Sequence, residues 1–230
     1  MSGREGLFVT FEGGEGAGKS TQAQRLRESL EAEGRRVVQL REPGGTALGE
    51  ELRKLLLNSP SLAVKTELLL FLAARSELVQ KVIKPALAGG IYVICDRFMD
   101  STTAYQGYGR RISRELIATL NDAVVDGCRP DLTVLLDLDP DVGLSRAEHG
   151  AGGDAIEGHW QQGLTFDSQA GAPGRRVGGR DKAFHRRVRE GYLQMAKAEP
   201  SRWLVLDATL PADEIAAKVR ARVAELRKAP

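Results

Sequence analysis

Two periods of apolar residues alternate along this chain. Short β-prone apolar runs recur at residues 7–11, 36–40, 91–95, 132–136 and 203–206. Each is bounded by turn-forming residues and predicts a buried strand. Between them the period lengthens to that of a helix. Ala23, Leu26 and Leu30 mark the first helix, and residues 48–57 form a second, which Asn58-Ser59-Pro60 breaks. A long helix is predicted over 65–88, with Leu68, Leu69, Leu72, Leu78, Val82 and Ile83 on its apolar face and Gly89-Gly90 ending it. Further helices are predicted over 113–125, from 140 to 147, over 182–197 and from Pro211 onward, the last with Ile215, Val219, Val223 and Leu226 on one face. Ile112, Leu116, Leu120 and Val124 recur every four residues, a face that suits either core packing or an oligomer interface. Strands alternating with helices predict a doubly wound, five-stranded parallel sheet flanked by helices, an α/β fold.

The alternation fails once. Nine of the thirty residues from 150 to 179 are glycine, and no period survives there. Such a stretch inside a compact domain is either a mobile functional segment or an insert. Arg175, Arg176 and Arg180 lie in or beside it, with Arg146 on its near side. A flap that brought one of them onto a transferring phosphate would exclude water and neutralise developing charge.

Composition narrows the class without choosing a function. At 230 residues, 42% hydrophobic and 28% charged, the chain fits one globular domain. A net charge of +2 gives no argument for nucleic acid. Cys95 and Cys128 form neither a disulfide framework nor a metal-ligand pattern, so a reducing cytoplasm is expected. Residues 1–6 are polar and read as no signal peptide, and the longest apolar run, 68–74, is too short to span a membrane.

The chemistry concentrates after the first strand. Gly13-Gly14-Glu15-Gly16-Ala17-Gly18-Lys19-Ser20, followed by Thr21, fits the pattern G-x-x-x-x-G-K-[ST] between a strand and a helix. Glycines let successive backbone N–H groups turn inward onto a phosphate chain, and the helix that follows adds the positive end of its dipole. Lys19 reaches the β- and γ-phosphates of a nucleotide and Ser20 offers a hydroxyl to Mg²⁺. The fold is therefore expected to be of the P-loop NTPase type.

Other strand ends add candidates. Arg41-Glu42-Pro43-Gly44-Gly45-Thr46 follows the second strand, where open parallel sheets bind ligands. Asp96-Arg97 follows the third. A carboxylate there suits a Mg²⁺ hydration shell and the Arg97 fork suits a second phosphate, although a bare ion pair is the alternative. Asp137, at the end of the fourth strand, competes with Asp96 for the metal role, and the neighbouring Arg97 favours Asp96. Phe71 and Arg75 lie four apart on one helix side, as either a core residue and a solvated charge or two site residues. Tyr105 and Gln106 stand in a polar, aromatic stretch suited to a small-molecule pocket. His185, in a run of arginines, reads as a surface residue.

Together, Phe11-Glu12 with the loop, Arg41–Thr46, Asp96-Arg97-Phe98, Ala104-Tyr105-Gln106-Gly107, Arg129–Thr133 and Phe184–Tyr192 closely resemble bacterial thymidylate kinase. The resemblance covers nearly the whole chain except 150–179. It implies a single kinase domain over 1–230, with a glycine-rich lid or insert at about 148–181, that transfers the ATP γ-phosphoryl group to dTMP with Mg²⁺ and forms a homodimer. It implies that Phe71 stacks on thymine, that Arg75 bonds its edge, and that Arg53 and Arg97 hold the acceptor phosphate. Thr102 and Gln106 would surround base and sugar, Pro43 would line the pocket, and Glu15 would orient the acceptor sugar. Because Gly14 to Ala17 carry no base, the lid is expected to supply a catalytic arginine, with Arg146, Arg175, Arg176 and Arg180 as candidates. A kinase of another nucleoside monophosphate and a phosphate-loop regulator without kinase activity are the alternatives. No Asn-Lys-x-Asp guanine reader is present to mark a GTPase.

Overall fold

The computed structural model describes residues 6–59, 62–149 and 182–228. Five strands form one all-parallel sheet: β1 (Phe8–Gly13), β2 (Val37–Arg41), β3 (Tyr92–Asp96), β4 (Leu132–Asp137) and β5 (Trp203–Asp207), in the order β2-β3-β1-β4-β5. The doubly wound parallel sheet expected from the pattern is present.

The centre of the sheet follows from burial. Every residue of β1 and β3 is buried, whereas β2 and β5 are partly exposed. Alternate residues of β1 point to opposite faces, so a strand covered on both is mostly apolar and any polar residue in it, here Thr10 and Glu12, is buried too. Val9 and Phe11 pack with Leu26 and Leu30 of α1 (Lys19–Ala32) and with Val219 and Val223 of the C-terminal helix (Ala212–Lys228). Phe8 packs on the other side with Leu78, Val79 and Ile83. Phe8 and Phe11 have no exposed surface, and such burial stabilises by about 1.5–3 kcal/mol each.

The remaining helices are α2 (Ala47–Asn58), α3 (Val64–Leu78), α4 (Lys84–Ala88), α5 (Met99–Thr102), α6 (Arg114–Val125), α7 (Pro140–His149) and α8 (Lys182–Ala198), which makes the C-terminal helix α9. The long helix expected over 65–88 is present with one departure: residues 79–83 widen into a π-helical turn between α3 and α4. Pro85 supplies the reason. It has no N–H for the preceding turn and its ring crowds the carbonyl there, so the helix must loosen just before it. Residues 103–109 are π-helical as well, continuing α5. Thr102, Thr103, Gly107 and Gly109 are weak helix formers, which hides this segment in the sequence.

On α6 the inward residues are Ile117, Asn121 and Val125. Leu116 is exposed, while Ile112, Leu120 and Val124 pack at the edge of the small cluster Leu68, Leu72 and Ile117. Among the described residues no helix is long and apolar enough to cross a membrane.

Candidate active site

The phosphate loop spans the gap between β1 and α1, at the centre of the sheet. Gly18 adopts a left-handed conformation (φ 89°) directly before α1, where a side chain would be strained. Gly16 also has positive φ, and a Cβ there would stand 2.4 Å from the Gly143 carbonyl oxygen of α7. Thr46 caps α2 by accepting from Gly49 N–H, and Ser113 caps α6. By contrast, α1 has no side-chain cap and no acidic residue in its first turn. Its first N–H groups therefore form a positive helix end suited to an anion. Lys19 is buried (4% exposed) and its Nζ donates to the Gly14 carbonyl at 2.8 Å, across the loop.

Ser20 and Asp96 meet at the loop's edge. The register that pairs Phe11 with Asp96 sets the end of β3 beside α1, and Ser20 Oγ donates to Asp96 Oδ2 at 2.5 Å. Asp137 is committed elsewhere, accepting Arg189 Nε at 2.7 Å and Nη2 at 2.9 Å. Of the two competing carboxylates, Asp96 is the one joined to the loop. A cavity of about 620 Å³ opens there, lined by Ser20, Arg27, Gln39, Arg41, Arg53 and Asp96, within the size range of ligand sites.

A second, narrow pocket is lined by Glu42, Phe71, Arg75, Arg97, Thr102 and Gln106. Phe71 and Arg75 of α3 are 6% and 1% exposed, which overturns the reading of Arg75 as a solvated charge. All five Arg75 N–H donors are engaged. Nε and Nη2 reach Glu42 Oε2 at 2.8 and 2.6 Å, Nη1 reaches Thr102 Oγ1 and Asn121 Oδ1 at 2.9 Å each, and Nη2 also reaches the Phe98 carbonyl at 3.0 Å. Burial pushes the Glu42 carboxyl up, and Arg75 opposes the shift. Such a pair ranks as a rigid orienting element more than a source of stability. The Glu42–Pro43 peptide is cis, and the Pro43 carbonyl accepts from Arg53 Nη1 at 3.0 Å, tying α2 to this turn. Gln106 Nε2 donates to Glu67 at 2.9 Å. The Arg97 guanidinium lies 5.0 Å from the Tyr105 ring centroid and its Nη2 donates to Tyr105 Oη at 3.2 Å.

Several residues here carried no signal when taken singly. Glu12, directly after the apolar run 7–11, is fully buried, and burial with the nearby Asp100 pushes its carboxyl up to about 7. A charge inside a strand covered on both faces demands partners, and that demand was its one visible sign. His185, expected at the surface, is 5% exposed, with Nε2 4.0 Å from the Glu15 carboxylate and its ring edge-on to Phe184. Arg146 packs beside Gly16 and donates from Nη1 to the Ala208 carbonyl at 3.0 Å. Arg175, Arg176, Arg180 and nearly all of the 148–181 segment lie outside the described residues.

The arrangement can hold a nucleotide's phosphates at the end of α1 and a second phosphate near Arg97, with Ser20 and Asp96 between them. Comparison with known proteins gives the family. The family model for thymidylate kinase matches residues 11–158. A thymidylate kinase of Deinococcus radiodurans is 46% identical over 223 residues, covering 96% of this chain and 98% of that protein. One from Synechococcus sp. (strain JA-3-3Ab) is 48% identical over 213 residues, covering 93% of each. The crystal structure of thymidylate kinase from Ehrlichia chaffeensis superposes with a TM-score of 0.71 at 36% identity, covering 95% of this chain and 98% of that one.

Proposed function

The chain belongs to the thymidylate kinase family and is an ATP-dependent kinase of dTMP; from that premise we propose how its residues divide the work. Lys19 and the N–H groups of the loop and α1 hold the ATP phosphates. Arg53 and Arg97 hold the dTMP phosphate opposite them. Phe71 stacks on thymine while Arg75, Thr102, Tyr105 and Gln106 frame base and sugar, with Pro43 closing one wall. A base carbonyl that reaches Arg75 shares or replaces one of its five bonds. Glu15, with His185 beside it, orients the acceptor sugar. The observation that carries this reading is the Ser20–Asp96 hydrogen bond, which joins the phosphate loop to the strand end bearing Arg97.

The Ser20 hydroxyl and Asp96 carboxylate are hard oxygen ligands and fit Mg²⁺. Among the described residues no cluster of three His, Cys, Asp or Glu could hold a metal alone. Mg²⁺ is usually bound through one or two protein oxygens and the substrate phosphates. Bound there, it would neutralise charge between donor and acceptor phosphates. The dTMP phosphate is already a nucleophile, so no general base is required. Positioning and electrostatic neutralisation supply the catalysis.

Replacing Phe71 tests the acceptor assignment. Phe71→Leu keeps most of the buried volume but removes the flat face, and base–aromatic stacking contributes about 1–3 kcal/mol. The KM for dTMP is expected to rise about tenfold with the KM for ATP unchanged. An unaltered dTMP KM contradicts the assignment.

Homodimerisation is part of the same proposal. Leu48 and Leu55 of α2, Leu69 of α3 and Leu116 of α6 are exposed, and α3 packs on both other helices. Sedimentation at twice the 24.9 kDa chain mass is expected, and a monomer at micromolar concentration contradicts it.

A further inference from the structure

Arg97 is held in an unusual way. Its φ is 69°, the left-handed region that a residue with a Cβ avoids. Three bonds fix the turn. Arg97 N–H donates to the Phe11 carbonyl at 3.0 Å, Cys95 Sγ donates to the Arg97 carbonyl at 3.1 Å, and the next N–H, of Phe98, donates to Glu12 Oε1 at 2.8 Å. The other Glu12 oxygen accepts from Ser101 Oγ at 2.5 Å and from Tyr192 Oη at 2.8 Å. Ser101 Oγ in turn accepts from Arg97 Nη1 at 3.3 Å. One buried carboxylate thus touches the backbone that follows Arg97 and a hydroxyl that holds its side chain.

We infer that Glu12 is a positioning residue for Arg97, locking the left-handed turn that aims its guanidinium at the acceptor phosphate, and that Tyr192 ties this lock to α8. The inference rests on the reading of Arg97 as a ligand of that phosphate. A buried, charged carboxylate is costly to keep in a strand that any apolar residue would fill. Its bonds go to the residue after Arg97, to the hydroxyl under its guanidinium and to a helix 180 residues away. A displacement of the guanidinium of about 1 Å is enough to cost roughly 10²-fold in transfer.

The lock also responds to protons. The groups facing Glu12 are Asp100, Arg97, Ser101, Tyr192 and, from β3, Cys95. Burial is the largest influence on its carboxyl and Asp100 pushes the same way, to about 7, against the bonds from Ser101 and Tyr192 and the charge of Arg97. A proton added to Glu12 below that pH turns an acceptor into a donor and loosens one of its three bonds.

The test uses Glu12→Gln and Tyr192→Phe in the full chain. Glutamine keeps the shape and one acceptor oxygen, but sets an amide against Ser101 and Tyr192. Expected for Glu12→Gln is a loss of kcat/KM for dTMP of at least about tenfold, with the ATP Kd changed by less than about twofold. Tyr192→Phe moves the same way by a smaller factor. The ratio of wild-type to Glu12→Gln kcat/KM for dTMP rises from pH 6 to pH 8, and ionisation of dTMP itself cancels in that ratio. Parallel loss of ATP and dTMP affinity, unchanged dTMP kinetics, or a ratio independent of pH overturns the inference. Should Glu12→Gln fail to fold, unchanged dTMP kinetics in Tyr192→Phe overturns it. If Arg97→Ala transfers normally, the reading of Arg97 fails. If Arg97→Ala is impaired while Glu12→Gln is not, this inference alone fails.

Discussion

Lys19→Ala is expected to lower kcat by at least about 10²- to 10³-fold, the usual effect of removing one preorganised charge or donor from a transfer site. The side chain is buried and crosses the loop to the Gly14 carbonyl, so its ammonium is already held where the phosphate chain enters. Nothing else in the loop replaces it, because Gly14, Glu15, Gly16 and Ala17 carry no positive charge. Alanine is well tolerated in the first turn of a helix, so the fold should survive. ADP release at saturating ATP and dTMP measures the effect. Turnover within about threefold of wild type would remove Lys19 from the mechanism.

Arg97→Ala is expected to reduce kcat/KM for dTMP by about 10²- to 10⁴-fold while ATP binding persists. The side chain is 2% exposed and supported by Ser101, Tyr105 and the turn beneath it. Alanine retains the Cβ and hence the backbone strain, so the substitution deletes the guanidinium without relaxing the turn. Arg97→Lys separates charge from shape, since an ammonium cannot grip two phosphate oxygens as the planar fork does, and should recover little. Equilibrium binding of ATP beside steady-state dTMP kinetics decides the matter. Equal loss of both, with a lowered unfolding midpoint, would indicate damaged packing instead.

How much of this was legible in the sequence follows from where each residue's partners lie. The five strands were visible as short β-prone apolar runs bounded by turn residues, most continuous where the strand is buried on both faces, and the observed strands fall within two residues of those runs. The phosphate loop was visible because its glycines, lysine and serine act within one local turn. Asp96 and Arg97 stood out for a topological reason, since they end a strand next to that loop.

What failed depended on distant contacts or on helix irregularity. The π-helical turn at 79–83 answers to Pro85 but leaves the apolar period nearly intact. His185 was expected at the surface because its neighbours are arginines. It turns inward on the same helix face as Phe184 and Val188, toward Glu15. The sequence favoured Asp96 over Asp137 for its Arg97 neighbour, but could not show that Arg189, 52 residues further on, bonds both Asp137 oxygens. The Glu12 network joins β1, α5 and α8 across separations of 89 and 180 residues, and no local spacing encodes it.

The most direct test of the central claim is ADP release from ATP with Mg²⁺, run in parallel against dTMP, dUMP, UMP, CMP and AMP. Fast turnover is expected with dTMP and weaker turnover with dUMP, because a single methyl group in an apolar slot is worth about 1–3 kcal/mol. Transfer to the others is expected to be negligible. ADP release that ignores the acceptor, or that is as fast with AMP or CMP as with dTMP, would contradict the claim.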